Sequence, residues 1–150
     1  MNDELLILFA TTTGNAEDCA KSTATKAKEA GFKVRTVNMY DLKPAKLKDE
    51  KLFLAVVSTW GDGEPPDDAV PFWDDLQELE EGSLSGAAFA VFGLGDHDYD
   101  DFCGFAKKLD AEFERLGATR VLDRVDADTS FEEPLETWAA EVVEALQARA

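Results

Sequence analysis

Three uninterrupted apolar runs constrain this chain more than any other feature. Leu5–Phe9, Leu52–Val57 and Ala87–Phe92 carry no alternating polar residues. That is the pattern of strands covered on both faces, not of strands with one face in water. With them, strands are expected near 4–9, 33–38, 52–57, 87–92 and 119–125, and helices near 16–30, 69–79, 104–117 and 133–148. The lysine-rich connection 41–51 contains Pro44 and reads as a short helix or loop. Strands and helices in strict alternation imply an α/β fold with an open, doubly wound, five-stranded parallel sheet. No repeat, low-complexity tract or linker divides the 150 residues, so 1–150 reads as one domain. The first helix is rich in small residues (Ala16, Cys19, Ala20, Thr23, Ala24, Ala27), which let it approach the sheet closely. Trp73 and Trp138 lie in helical apolar stripes and read as core.

The segment Thr11-Thr12-Thr13-Gly14-Asn15-Ala16-Glu17 joins the first apolar run to the first helix. Three hydroxyls and the free N–H groups of a helix start can wrap a phosphate, and the helix dipole favours negative charge there. Residues 1–20 contain no Lys or Arg, so a Walker-type triphosphate loop is excluded. Taken alone, the segment serves equally well as a plain helix cap. Two later loops break the tie. Ser58-Thr59-Trp60-Gly61-Asp62-Gly63-Glu64 follows the second buried run, and Gly93-Leu94-Gly95-Asp96-His97-Asp98-Tyr99 follows the third. Each sets one aromatic residue, Trp60 or Tyr99, among glycines and carboxylates. Two aromatics on loops at the same end of a parallel sheet can sandwich a flat ring. A phosphate, a flat ring and an acidic shell describe FMN.

These three loops, in order and spacing over essentially the whole chain, resemble the FMN-binding loops of flavodoxins and of the flavodoxin-like domains of diflavin reductases. The third matches the pattern Gly-x-Gly-Asp-x-x-Tyr-x-x-Phe-Cys through Phe102 and Cys103. The resemblance implies the strand order 2-1-3-4-5, with FMN at the switch point. It also implies a short-form flavodoxin, because no long insertion interrupts the fifth strand. Thr11, Thr12, Thr13, Gly14, Asn15 and Ala16 would hold the phosphate. Many relatives have Thr where this chain has Ala16, which removes one hydroxyl contact. Ser58, Thr59, Trp60, Gly61, Asp62 and Gly63 would form the flavin loop, with Trp60 and Tyr99 stacking on the ring. Asp96 and the Leu94 and Gly95 amides would meet the pyrimidine edge, and Asp126 would approach from the ring side. Gly93, Phe102 and Cys103 complete the third loop, with Cys103 packing more than touching flavin. In the family the peptide before Asp62 turns over on reduction, and glycine at position 61 makes that turn cheap. Gly63, where many free flavodoxins have a second acidic residue, makes the loop resemble a diflavin-reductase domain.

The formal net charge is −17 and the sequence pI about 4.2. Such a surface excludes general nucleic-acid or anionic-membrane binding and favours basic redox partners, a reductase and an acceptor. Carboxylates near the ring also oppose the anionic reduced flavin. One at ~10 Å costs roughly 1–2 kcal/mol at an effective dielectric near 20. The expectation is a monomeric, cytoplasmic, low-potential one-electron carrier without enzymatic activity of its own, since no Gly-x-Gly-x-x-Gly nicotinamide fingerprint occurs. The alternative is the FMN-binding subunit or domain of a multi-component reductase. A chain that begins at strand one and ends after the last helix argues for the free carrier. A signalling receiver domain of similar winding lacks support, because Thr11–Thr13 and Ser58-Thr59-Trp60 stand where it needs carboxylates. Cys19 reads as a small buried residue, and the single histidine, His97, as an exposed loop residue, with a rise in flavin potential on its protonation as the alternative.

Overall fold

A computed structural model describes residues 4–11, 14–59, 63–95, 103–128 and 130–148. Among them are strands β1 (Glu4–Ala10), β2 (Lys33–Asn38), β3 (Leu52–Ser58), β4 (Ala88–Leu94), β5 (Thr119–Arg120) and β6 (Val125–Ala127). Helices α1 (Asn15–Glu29), α2 (Val70–Gln77), α3 (Gly104–Arg115) and α4 (Glu132–Gln147) alternate with them. All strand pairings are parallel, in the order β2-β1-β3-β4-β5, with β6 also paired to β4.

Every residue of β3 and β4 is buried, and so is every residue of β1 after Glu4. The uninterrupted runs arise because both faces are covered. Leu5, Ile7, Phe9, Leu54, Val56, Ala90 and Phe92 face one way, onto α1 and α4. Leu6, Leu8, Phe53, Ala55, Phe89 and Val91 face the other way, onto α2 and α3. On that second face Phe53, Phe89 and Phe113 form an aromatic trio with ring centroids 4.9 to 5.9 Å apart. Ala16, Ala20, Ala24 and Ala27 are buried along α1, as its small-residue stripe predicted.

The structure departs from the sequence reading in two places, the fifth strand and Trp73. The fifth strand is broken into β5 and β6, with residues 121–124 between them, where a single strand over 119–125 was expected. Both pieces still pair with β4, so the break is a local detour and not a change of topology. The connection 41–51 contains a 3-10 turn over Pro44–Asp49, the short helix its sequence suggested. Trp138 is buried as expected, with its ring 5.2 Å from that of Phe92. Trp73 is only half-buried, at the rim of the second face, edge-on to Phe105 at 5.5 Å.

Candidate functional site

Strand register brings the three loops to one edge. Ala10 lies opposite Val57, Val57 opposite Gly93, and Gly93 opposite Asp126. These four residues form one row across the sheet, with neighbouring strands about 4.8 Å apart. One step beyond the row the chain leaves β1, β3 and β4 into the three loops. The sheet winds away in opposite directions on either side of β1 and β3, so a crevice opens at their carboxyl ends.

In the first loop Gly14 adopts the left-handed conformation, φ 94°. An added Cβ would meet nothing within 4 Å, so its requirement is conformational and not steric. The Thr11 hydroxyl accepts from the Gly14 amide at 2.8 Å and from the Ala16 amide at 3.4 Å. Sequence reasoning placed the hydroxyl and both amides side by side toward a phosphate. In the structure the hydroxyl accepts from both amides, which leaves its own proton able to donate. Asn15 is the first residue of α1. Glu17 pairs with Lys21 at 3.1 Å, on the exposed side of the helix.

The second loop is fastened to the third. The Thr59 amide donates to the Leu94 carbonyl at 3.0 Å, extending the β3–β4 ladder by one rung. The Thr59 hydroxyl accepts from the Phe105 amide at 3.2 Å and so caps the start of α3. Gly63 is buried with φ 92°, a conformation that favours glycine, and its carbonyl accepts from Lys108 Nζ at 3.2 Å. Asp68 accepts from Asn38 Nδ2 at 3.2 Å, which ties the end of this loop to β2.

Both ends of the third loop meet at one atom. The Ala127 carbonyl accepts from the Gly95 amide at 2.9 Å and from the Cys103 thiol at 3.7 Å. Cys103 has φ 54°, the only left-handed residue other than glycine among the described residues. Burial pushes its thiol up to about 12, with the Asp126 carboxylate adding to the shift. The thiol is therefore protonated at neutral pH and available as a donor. A Cβ on Gly95 would fall 2.9 Å from Cys103 Sγ and 3.1 Å from its backbone nitrogen. A Cβ on Gly93 would fall 2.5 Å from the Ala106 Cβ. Gly93 thus faces α3, and its role in this structure is close helix–strand packing.

Asp126 sits on β6 with its carboxylate held by Arg124, Nε to Oδ1 at 2.8 Å and Nη2 to Oδ2 at 3.2 Å. Thr12, Thr13, Trp60, Gly61, Asp62, Asp96, His97, Tyr99 and Phe102 lie outside the described residues. Ser58 and Leu94 are the buried last residues of β3 and β4.

Sequence reasoning missed a second set of residues. Asp110 on α3 is 5% exposed and accepts from Arg120 through both oxygens, at 3.0 and 2.7 Å. Its Oδ2 also accepts from Arg124 Nη1 at 3.4 Å. The signal was present: Asp110 falls within the apolar stripe Ala106, Leu109, Phe113, and a carboxylate in such a stripe requires a cationic partner. Among the described residues no cluster of His, Cys, Asp or Glu is arranged to hold a metal.

The Flavodoxin family model matches residues 7–138. This chain belongs to the flavodoxin family. It is 43% identical over 146 residues to the sulfite reductase [NADPH] flavoprotein alpha-component of Klebsiella pneumoniae, and 43% identical over 145 residues to that of Zymomonas mobilis. Each match covers 97% of this chain and 24% of the relative, so the chain spans about a quarter of the length of these curated relatives. Among solved structures it superposes on a flavodoxin of Streptococcus pneumoniae TIGR4 with a TM-score of 0.88 and 31% identity. That match covers 98% of this chain and 99% of the other. A short-chain flavodoxin associated with a PDU bacterial microcompartment gives a TM-score of 0.86 at 26% identity, covering 100% and 99%.

FMN is the cofactor of this family, and the described residues fit it. The α1 start carries no cation that would select a triphosphate. Gly95 and Cys103, the described ends of the third loop, pack closely at that edge and share the Ala127 carbonyl. Ala10, Val57 and Gly93 set the three loops level with one another. The family's members are electron-transfer proteins. No helix among the described residues is long and apolar enough to cross a membrane.

Proposed function

We propose that this chain holds FMN noncovalently across the carboxyl ends of β1, β3 and β4 and carries single electrons between a reductase and an acceptor protein. The observation that supports it best is the shared edge: three loops whose composition suits FMN start from one row of the sheet, and the second is fastened to the third. When bound, FMN supplies one-electron redox chemistry. The protein's part is to position and to bias. Thr11 shapes the phosphate turn, and the start of α1 directs its N–H groups into it. Thr59 and Gly63 lock the second loop to α3, and the Ala127 carbonyl fixes both ends of the third. Trp60 and Tyr99 are the residues proposed to stack on the ring, with Asp96 at its polar edge.

The acidic surface biases the site toward low potential and basic partners. Glu64 and Asp67 are exposed beside the second loop, and Glu132, Glu133 and Glu136 are exposed on α4. A second reading is favoured by the 43% identity to sulfite reductase flavoprotein alpha-components: the chain, or its equivalent in a larger assembly, receives electrons within a multi-component reductase. Titration of the apo-protein with FMN, followed by flavin fluorescence, tests the common part. Saturable one-to-one binding, weaker for riboflavin, is expected; equal affinity for both would refute the phosphate-loop assignment. NADPH oxidation by the FMN-loaded chain alone, expected to be absent, tests whether it is a carrier only.

A further inference from the structure

Arg124 lies in the detour between β5 and β6, outside the loops that sequence reasoning assigned to the cofactor. Its guanidinium spans two carboxylates on different elements: Asp126 on β6, through Nε and Nη2, and Asp110 on α3, through Nη1. β6 is three residues long and pairs only with β4 among the described strands. Its last residue, Ala127, supplies the carbonyl that accepts from Gly95 and from Cys103. Cys103 in turn opens α3, the helix that carries Asp110. The contacts form a closed ring: α3 to Arg124, Arg124 to β6, β6 to both ends of the third loop, and the loop's end back to α3. A short strand with one neighbour is easily displaced, and this ring holds it against the helix.

We infer that Arg124 is a positioning residue for the third loop, setting the span between Gly95 and Cys103 by bracing Ala127 against α3 through Asp110 and Asp126. The inference rests on the FMN reading for its effect on binding, and on the geometry alone for its effect on the loop ends. Arg is suited to the task because its planar fork reaches two carboxylates in fixed directions. Lysine keeps the charge but cannot reproduce that bridge. The brace acts on the ring side of the site and not on the phosphate turn at α1. Loss of Arg124 should therefore weaken ligands with and without a phosphate by the same factor.

The test compares Arg124→Met, Arg124→Lys and Asp110→Asn with the wild-type full chain. Dissociation constants are measured for FMN and for riboflavin. Hydrogen exchange of the Gly95 amide is measured in the apo-protein, with the Val56 amide in β3 as the core reference. Arg124→Met is expected to weaken FMN and riboflavin alike by about tenfold, the loss of one charge-assisted hydrogen bond at its lower end. Gly95 exchange should accelerate by a similar factor while Val56 is unchanged. Arg124→Lys should fall between Arg124→Met and wild type. Asp110→Asn, which keeps the shape of the brace, should shift the same quantities less, and it carries the test if Arg124→Met does not fold. FMN affinity within twofold of wild type with unchanged Gly95 exchange would overturn the inference. So would parallel acceleration at Gly95 and Val56, which reports only global destabilisation. If wild-type protein binds no FMN, the functional proposal fails, and the exchange measurement still decides whether Arg124 sets the loop ends.

Discussion

Gly93→Ala separates packing from cofactor contact at a position where the two were easily confused. In the family pattern Gly93 opens the flavin loop, yet in the structure a Cβ there lies 2.5 Å from the Ala106 Cβ. The other neighbours of that Cβ, Val125 O at 3.5 Å and Asp126 Oδ1 at 3.6 Å, are at ordinary contact distance. The whole penalty therefore comes from one methyl group on α3. Two carbons at that distance must separate by roughly 1 Å, and overpacking of this kind costs about 1–3 kcal/mol. Replacing a strand glycine returns roughly 0.5–1 kcal/mol of chain entropy. The single variant should lose about 2 kcal/mol. Ala106→Gly should also lose about 2 kcal/mol, from a glycine in a helix and a small cavity. The double variant exchanges the two methyl groups and should return to within about 1 kcal/mol of wild type. That leaves a coupling energy near 3 kcal/mol, the upper end for directly touching residues.

The assay is urea unfolding of the four apo-proteins, with FMN affinity measured on each folded form. Additive destabilisation would refute the close-packing argument. A Gly93→Ala protein of wild-type stability that has lost FMN would show that the glycine serves the ligand instead. The expected pattern is restored stability and near wild-type affinity in the double variant.

Three further outcomes follow from the same geometry. Thr11→Val removes the acceptor for the Gly14 and Ala16 amides and the outward proton, and should weaken FMN by at least tenfold while leaving riboflavin nearly unchanged, whereas Thr11→Ser should retain most of the affinity; equal losses for both ligands would disprove a phosphate-turn role. Cys19 and Cys103 are both pushed up to about 12 by burial, from an ordinary value near 9, so the folded state holds their protons where the unfolded chain releases them. Their contribution to stability is therefore complete below pH 9 and is lost as pH rises toward 12, at up to about 1.4 kcal/mol per pH unit for each thiol; the Cys19→Ala/Cys103→Ala variant should show a shallower fall in urea midpoint over that window, and native thiols should react slowly with a disulfide reagent at pH 8. Trp138 is buried with an indole N–H that has no hydrogen-bond partner among the described residues, so Trp138→Phe trades a small cavity for relief of that donor and should change stability by less than about 1 kcal/mol, where a well-partnered buried Trp would lose more.

Much of the architecture was legible because burial on both faces leaves a plain mark. Leu52–Val57 could not have been a one-sided strand, and the alternation of such runs with helical stripes admits few windings. The break between β5 and β6 was not legible. Val121, Leu122 and Val125 are all apolar and read as one strand, and the pairing of Arg124 with Asp110 and Asp126 across the detour leaves no apolar mark in the sequence. Composition placed the loops, and it could not say which of their groups face each other. Thr59 was read as a flavin-loop residue on resemblance, while its hydroxyl caps a helix that begins 45 residues later in the chain. Contacts at that sequence separation leave no local pattern. Gly93 and Gly95 belong to the flavin loop on resemblance, with the Gly95 amide expected at the ring's pyrimidine edge; in the structure that amide donates to the Ala127 carbonyl, and a Cβ at the two positions would meet Ala106 and Cys103.

These long-range contacts converge on α3, and this explains why one helix matters to two loops. Thr59 meets its first turn through the Phe105 amide, and Lys108, one turn further on, reaches back to the Gly63 carbonyl. Asp110 continues along the helix to Arg120 and Arg124, and so to β6. On the same buried face Leu109 and Phe113 pack into the aromatic face of the sheet. A displacement of α3 would therefore shift the second loop at both of its described ends, Thr59 and Gly63, and the third loop through Cys103. Gly93, by admitting Ala106 at close range, sets how near that helix lies to the sheet. The residues that tune the distance between the two proposed stacking loops are thus found in the helix–strand contact beneath them.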